Sequence, residues 1–168
     1  SPYGVTKLAA EQLCHLYQVN YGVPAVATRY FTVYGPRQRP DMGFYRFFLA
    51  AMRNEPLTVF GDGRQTRDFT FVADAVTATL NASTLGKPGA VYNIGGGSRV
   101  ELLDVLELIR RITGRPLRLH TIEAQAGDMH DTYADTAAAK EDLGFTPAVA
   151  LEQGLRAQFE WMTEAGLF

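Results

Sequence analysis

An α/β fold is predicted by three observations. Short apolar segments of strand character alternate with stretches of helical period. The first strand candidate empties into a long polar loop carrying turn residues and two arginines, the place where α/β sheets bind ligands. The 168 residues, 46% of them hydrophobic and 20% charged, are enough for one domain with its own core. The elements are too few and too short for a complete doubly wound sheet.

Ser1 is suited to cap a helix and Pro2 to open it, and Gly22 and Pro24 mark its end, so a helix is expected to about Asn20. Val5, Ala9, Leu13 and Leu16 form one stripe on it, and Tyr3, Lys7, Ala10 and Cys14 a second. One stripe is expected on a sheet, the other on a site or partner helix. Ala25–Phe31 reads as a buried strand, Thr32–Met42 as a loop, and Phe44–Arg53 as a short amphipathic helix. Leu57–Phe60 is a strand, with Gly61–Gly63 as its turn. A helix over Val72–Thr84 stops before the Gly86–Gly89 turn. Ala90–Ile94 is a strand leading into Gly95–Ser98, and Val100–Ile112 a helix closed by Gly114. Leu117–Ile122 is a strand and Glu123–Thr132 a loop; helices over Thr136–Leu143 and Leu151–Ala165 finish the chain.

A net charge of -2 gives no electrostatic case for nucleic acid or an anionic membrane, and no apolar run reaches membrane-span length. Cys14, the only cysteine, excludes an internal disulfide and fits a reducing compartment, so a cytoplasmic location is expected. His15, His120 and His130 show no ligand spacing with it, and no metal site is expected. Ser1 is already a helix start without an initiator methionine, which reads as the downstream part of a longer protein.

Tyr3 and Lys7 stand four residues apart, on one face of the first helix. A free tyrosine has a pKa of about 10, and a neighbouring ammonium favours the phenolate, bringing the phenol into range for acid-base work. Such pairs also occur in ordinary helices, so the later motifs carry the weight. Arg37, Arg39 and Arg67 lie in loops after strands, where guanidinium forks can bind phosphate or carboxylate oxygens or simply face solvent. Arg29, inside the strand, reads as structural. The triplet Gly95-Gly96-Gly97 lacks the dinucleotide-fingerprint spacing and reads as a tight strand-to-helix turn.

Four stretches together resemble the extended short-chain dehydrogenase/reductase family, more narrowly its NAD-dependent nucleotide-sugar epimerases and dehydratases. They are Ser1–Lys7, Arg29–Pro36, Gly61–Gly63 with Thr66–Phe69, and Tyr92–Gly95. The resemblance covers the chain in order but begins in the family's second half, without the glycine-rich dinucleotide turn or the catalytic serine or threonine. It implies the end of a Rossmann-type NAD-binding domain over residues 1–35. Residues 36–168 would be mainly a smaller α/β substrate-binding domain, with about 70–95 returning to the first.

The resemblance implies Tyr3 as the acid-base that exchanges a proton with the sugar hydroxyl, and Lys7 as the partner of the nicotinamide ribose. Tyr30 and Phe31 would line the nicotinamide, Arg67 would clamp the substrate diphosphate, and Val59 and Phe60 would lie near the uracil. Arg39–Met42 and Gln125–Asp128 resemble the UDP-glucuronate 4-epimerase branch, in which Thr32 and Arg39 would hold the sugar carboxylate, with Asp128 a further substrate contact. UDP-glucose 4-epimerases often carry asparagine at the place of Thr32 and arginine at that of Gln125. The implied activity is 4-epimerisation of a UDP-sugar by transient oxidation at C4, rotation of the keto sugar and hydride return, with NAD as cofactor. The alternatives are UDP-glucose epimerisation, a dehydratase or decarboxylase of the same family, and a non-catalytic fragment that binds NAD negligibly alone. The first helix is implied as a homodimer element.

Overall fold

The computed structural model describes residues 1–123 and 129–168. Helix α1 runs Pro2–Tyr21, with the Ser1 hydroxyl accepting from Gly4 N–H at 3.1 Å. It ends at Gly22, whose φ of 67° lets its N–H reach the Gln18 carbonyl while Val23 N–H reaches that of Tyr17. Glu11, Cys14 and Gln18 are its half-buried positions, and every other residue of the helix is exposed. The stripe carrying Tyr3, Lys7 and Cys14 therefore faces the sheet, and the one carrying Val5, Leu13 and Leu16 faces outward. A bidentate contact fixes the helix there: Arg29 donates from Nε and Nη2 to the two Glu11 oxygens at 2.7 and 2.6 Å. Each partner strengthens the other's charge, lowering the Glu11 pKa and raising that of Arg29. Arg29 is structural, as its place in a strand implied.

Strand β1 (Ala27–Tyr30) pairs in parallel with β6 (Val91–Ile94). The expectation of a buried strand is corrected. Among the described residues β1 pairs with β6 alone, so Ala27 and Thr28 are half-buried and Arg29 and Tyr30 exposed. The stretch read as one polar loop also contains a strand, β2 (Val33–Tyr34), paired in parallel with β5 (Thr70–Phe71). Two residues are too short to show a period, and this pairing is visible only in three dimensions.

Helix α2 (Gly43–Arg53) leads to β3 (Pro56–Phe60), which pairs in parallel with β8 (Arg118–Ile122). Strand β4 (Thr66–Asp68) pairs antiparallel with β7 (Arg99–Glu101), so the next helix, α4 (Leu102–Thr113), begins after a strand the sequence did not reveal. Helix α3 (Val72–Leu85) and the closing helices α5 (Ala137–Leu143) and α6 (Leu151–Glu164) lie within a residue or two of their expected bounds. No described helix is long and apolar enough to cross a membrane.

One core lies among α2, α4, α6 and β2, built from Tyr34, Phe44, Phe48, Val105, Ile109, Leu155 and Met162. Tyr34 is its hinge-pin: 2% exposed, with its ring edge-on to Phe44 and Phe71. Helix α6 approaches it through Gly154, where an added Cβ would lie 2.4 Å from the Tyr34 hydroxyl. Burial, and then the Asp74 charge, push the Tyr34 pKa well up. A second core joins α3, β6 and α5 through Ala78, Ala82, Tyr92, Ile94, Ala139, Leu143 and Phe145.

The glycine triplet connects a strand to a strand, not to a helix. Gly96 N–H donates to Asp68 Oδ1 at 2.7 Å, and Ala134 N–H to Oδ2 at 3.2 Å, so a fully buried carboxylate is held at the corner. A Cβ on Gly96 would lie 1.8 Å from the Phe69 carbonyl oxygen, which no neighbouring side chain can relieve. Gly96→Ala is expected to cost at least about 2 kcal/mol by displacing backbone, read as a lower midpoint in urea unfolding.

Candidate active site

Two cavities take lining residues from β1 and from the turn that follows it. The first is an open trough between α1 and β1 of about 810 Å³, lined by Tyr3, Gly4, Lys7, Glu11, Cys14 and Tyr30 among others. Tyr3 is 71% exposed into solvent, and the Lys7 ammonium lies 5.4 Å from its ring centroid. The four-residue spacing thus brings the two together on one turn of helix, beside an open space. The Tyr30 hydroxyl shares a hydrogen bond of 2.8 Å with Thr79, anchoring it to α3. Phe31 is half-buried and lies outside the trough lining, its N–H bonded to the Ile94 carbonyl.

The second cavity, about 170 Å³, is lined by Thr32, Gln38, Phe44, Phe47, Gln65, Arg67 and Phe69 with Met42, Gly43 and Leu102. Thr32 and Arg67, far apart in sequence, come together here. A shallower groove of about 230 Å³ adjoins it, sharing Gln38 and Met42 and adding Arg37 and Arg39. The Arg39 guanidinium donates to Asp41 at 3.1 Å and is largely in solvent. Val59 is 3% exposed, its side chain taken up in the core with Ala50, Leu57 and Leu106, so only its backbone can meet a ligand. Phe60 is half-buried at the end of β3. Asp128 and the Gln125–Gly127 stretch fall outside the described residues.

The turn between the cavities is strained and then pinned. Thr32 has a φ of 22° and Arg37 one of 67°, unusual for residues with side chains. Thr70 holds the first: its N–H donates to the Thr32 carbonyl at 3.1 Å, and its hydroxyl lies 2.5 Å from the Phe31 carbonyl oxygen. Gln158, fully buried on α6, holds the rest. Its Oε1 accepts from Gly35 N–H at 3.1 Å, and its Nε2 donates to Gln38 Oε1 at 2.9 Å. Gln38 also accepts from Tyr45 N–H and donates to the Val33 carbonyl. These backbone partners fix the orientation of both amides. Thr70, Gln38 and Gln158 were not singled out from the sequence. A lone glutamine at a core-facing position of the last helix is the signal that points to Gln158.

Beside the second cavity, Arg67 Nη1 donates to the carbonyls of Thr66 and His130 at 2.9 and 3.0 Å. His130 is bonded to Asp131 at 2.9 Å. The Asp131 carboxyl is held well below its usual range by the Thr66 hydroxyl and then by His130, and Asp131 in turn raises His130.

Residues 1–95 match the model of the NAD dependent epimerase/dehydratase family. The chain belongs to that family. Among its relatives, YtcB of Bacillus subtilis (strain 168), described as an uncharacterized UDP-glucose epimerase, is 46% identical over 166 residues, spanning 97% of this chain and 52% of its own. A UDP-glucuronate 4-epimerase of Thermodesulfobacterium geofontis (strain OPF15) is 36% identical over 98% of this chain and 51% of its own. The crystal structure of the Bacillus cereus UDP-glucuronic acid 4-epimerase in complex with UDP-glucuronic acid and NAD superposes with a TM-score of 0.93 at 42% identity, covering 98% of this chain and 53% of that one. The chain spans about half the length of the curated relatives it matches. Its fold is accordingly the C-terminal part of the family's Rossmann-type sheet with the smaller α/β domain.

Two outcomes follow for this epimerase/dehydratase family member. Gln158→Leu leaves the Gly35 N–H and the Gln38 amide without their buried partner and is expected to cost about 1–3 kcal/mol, measured by denaturant unfolding. The His130–Asp131 contact has a defined pH window. Asp131, lowered from 3.8, contributes above that value and loses its contribution as pH falls through its depressed folded pKa; His130, raised from 6.5, contributes below that value and loses it as pH rises through its raised folded pKa. Protection of the Thr132 amide from hydrogen exchange, normalised for intrinsic rate, is therefore expected to be greatest between about pH 4 and pH 6.5.

Proposed function

We propose that this chain is the C-terminal part of an NAD-dependent UDP-sugar 4-epimerase acting on UDP-glucuronate. The observation that carries the reading is the adjacency of Tyr30 and Thr32. One lines the trough of Tyr3 and Lys7 and the other the cleft of Arg67, two residues on. At full extension that separation is at most about 7 Å. A sugar whose ring lies at this junction has a proton acceptor on one side and a cation for its diphosphate on the other.

The donor set of the trough fits the nicotinamide-ribose end of NAD. A phenol and an ammonium on one helix face stand beside open space of sufficient volume. Lys7, Tyr3 and Tyr30 would hold that end, and Phe31 would back it from just beyond β1. Bound there, NAD supplies a reversible hydride acceptor for the sugar carbon. Tyr3, as the phenolate that Lys7 favours, takes the proton of the C4 hydroxyl, holds it as a phenol while the sugar turns, and returns it afterwards. Arg67 binds the diphosphate, and Phe60 with the Val59 backbone lies toward the uracil. Thr32 and Arg39 hold the carboxylate, Arg39 exchanging its Asp41 partner for the substrate. Asp128 completes the substrate contacts. Residues 1–35, with about 70–95, form the cofactor-side unit and the remainder the substrate-side unit. The outward stripe of α1, with Val5, Leu13 and Leu16 exposed, is the contact between two copies.

One observation favours a second reading. The Arg39 charge is already partnered by Asp41, which suits a neutral hexose and so UDP-glucose. In the full-length protein, Tyr3→Phe is expected to lower kcat by about 10²- to 10⁴-fold with UDP-sugar affinity nearly unchanged. Supplied with UDP-glucuronate and UDP-glucose in parallel, the unaltered enzyme should convert the uronate, as resolved by product chromatography. Turnover of the neutral sugar alone rejects the uronate assignment.

A further inference from the structure

Asp131 has a place in the molecule that the reading above does not use. Its carboxylate gathers side chains from three parts of the chain. Thr66 on β4 donates to Oδ1 at 2.5 Å, Arg99 on β7 reaches the same oxygen at 3.2 Å, and His130 lies 2.9 Å from Oδ2. The backbone follows. Thr66 N–H donates to the His130 carbonyl at 3.0 Å, Thr132 N–H to the Thr66 carbonyl at 3.1 Å, and residues 66 and 131 form a parallel bridge. The segment around Asp131 is thereby clipped to β4 on the side opposite β7.

The carbonyl that this clip fixes receives Arg67 Nη1 at 3.0 Å. The carbonyl of Thr66, the neighbour of Arg67 in its own strand, receives it too. A carbonyl of its own strand and one from another segment, both received at Nη1, together constrain the plane of the guanidinium. A guanidinium binds phosphate oxygens well only when its plane is presented correctly. We infer that Asp131 is a positioning residue for recognition of the substrate's diphosphate, acting through the His130 carbonyl on Arg67. This rests on the role given to Arg67 under the proposed function. Asp131 is exposed, and exposed ion pairs add little to stability. Its loss is therefore expected in substrate affinity and not in the melting temperature.

The test is a set of variants in the full-length enzyme, assayed for KM and kcat with UDP-glucuronate and UDP-glucose and for melting temperature. Asp131→Ala is expected to raise KM for the sugar nucleotide that turns over by about five- to tenfold, within the range of coupling between residues in one network, with kcat and melting temperature little changed. Asp131→Asn, which keeps an oxygen for Thr66, should recover part of the loss, and Thr66→Val should reproduce it. Arg67→Ala should raise KM on its own, and adding Asp131→Ala to it should raise KM no further. If Arg67→Ala raises KM and Asp131→Ala does not, the inference fails and the role of Arg67 stands. If the two effects multiply, Asp131 does not act through Arg67 and the inference fails. If Arg67→Ala leaves KM unchanged, the reading of Arg67 fails and the inference with it.

Discussion

The structure depends on how the backbone is held between Phe31 and Gly35. There the chain leaves β1, passes through a threonine with a left-handed φ, and enters β2. Left to itself a β-branched residue avoids that conformation. Thr70 captures the carbonyls of Phe31 and Thr32, and Gln158 captures Gly35 N–H. With those bonds made, Tyr30 is delivered to one cavity and Thr32 to the other.

The two cavities are anchored by different means. The trough depends on α1, which buries none of its residues fully and is tied to β1 through the Glu11–Arg29 fork. The cleft is set in the larger aromatic core, where Tyr34, Phe44 and Phe71 pack edge to face and Gly154 lets α6 come close. Tyr3 and Lys7 thus stand on an exposed helix, and Thr32 and Arg67 line a cleft beside the larger core.

Much of this was legible in the sequence where the signal is local. The long helix, its caps at Ser1 and Gly22, and the helices over α2, α3, α5 and α6 follow from period and from capping chemistry. The short strands β2, β5 and β7 were not legible, because two or three residues carry no period and their pairing partners are distant. The same reason hid Thr70 and Gln158, whose roles exist only through partners 39 and 123 residues away. The glycine triplet was read as a strand-to-helix turn, and its use as a strand-to-strand corner packed on Asp68 and Phe69 needed the fold. Val59 shows the opposite limit: a motif position can suggest a ligand contact while the side chain belongs to the core. Family membership was carried by ordered motifs between Ser1 and Gly95, which is why it was readable before any coordinate.

The most direct test of the account is the position of the sugar nucleotide in a crystal of the full-length protein with UDP-glucuronate bound. The account places the diphosphate on Arg67, the sugar beside Thr32, and the C4 oxygen within about 2.6–3.2 Å of the Tyr3 hydroxyl. A sugar ring lodged away from Tyr3, or a diphosphate bound elsewhere than at Arg67, would contradict it.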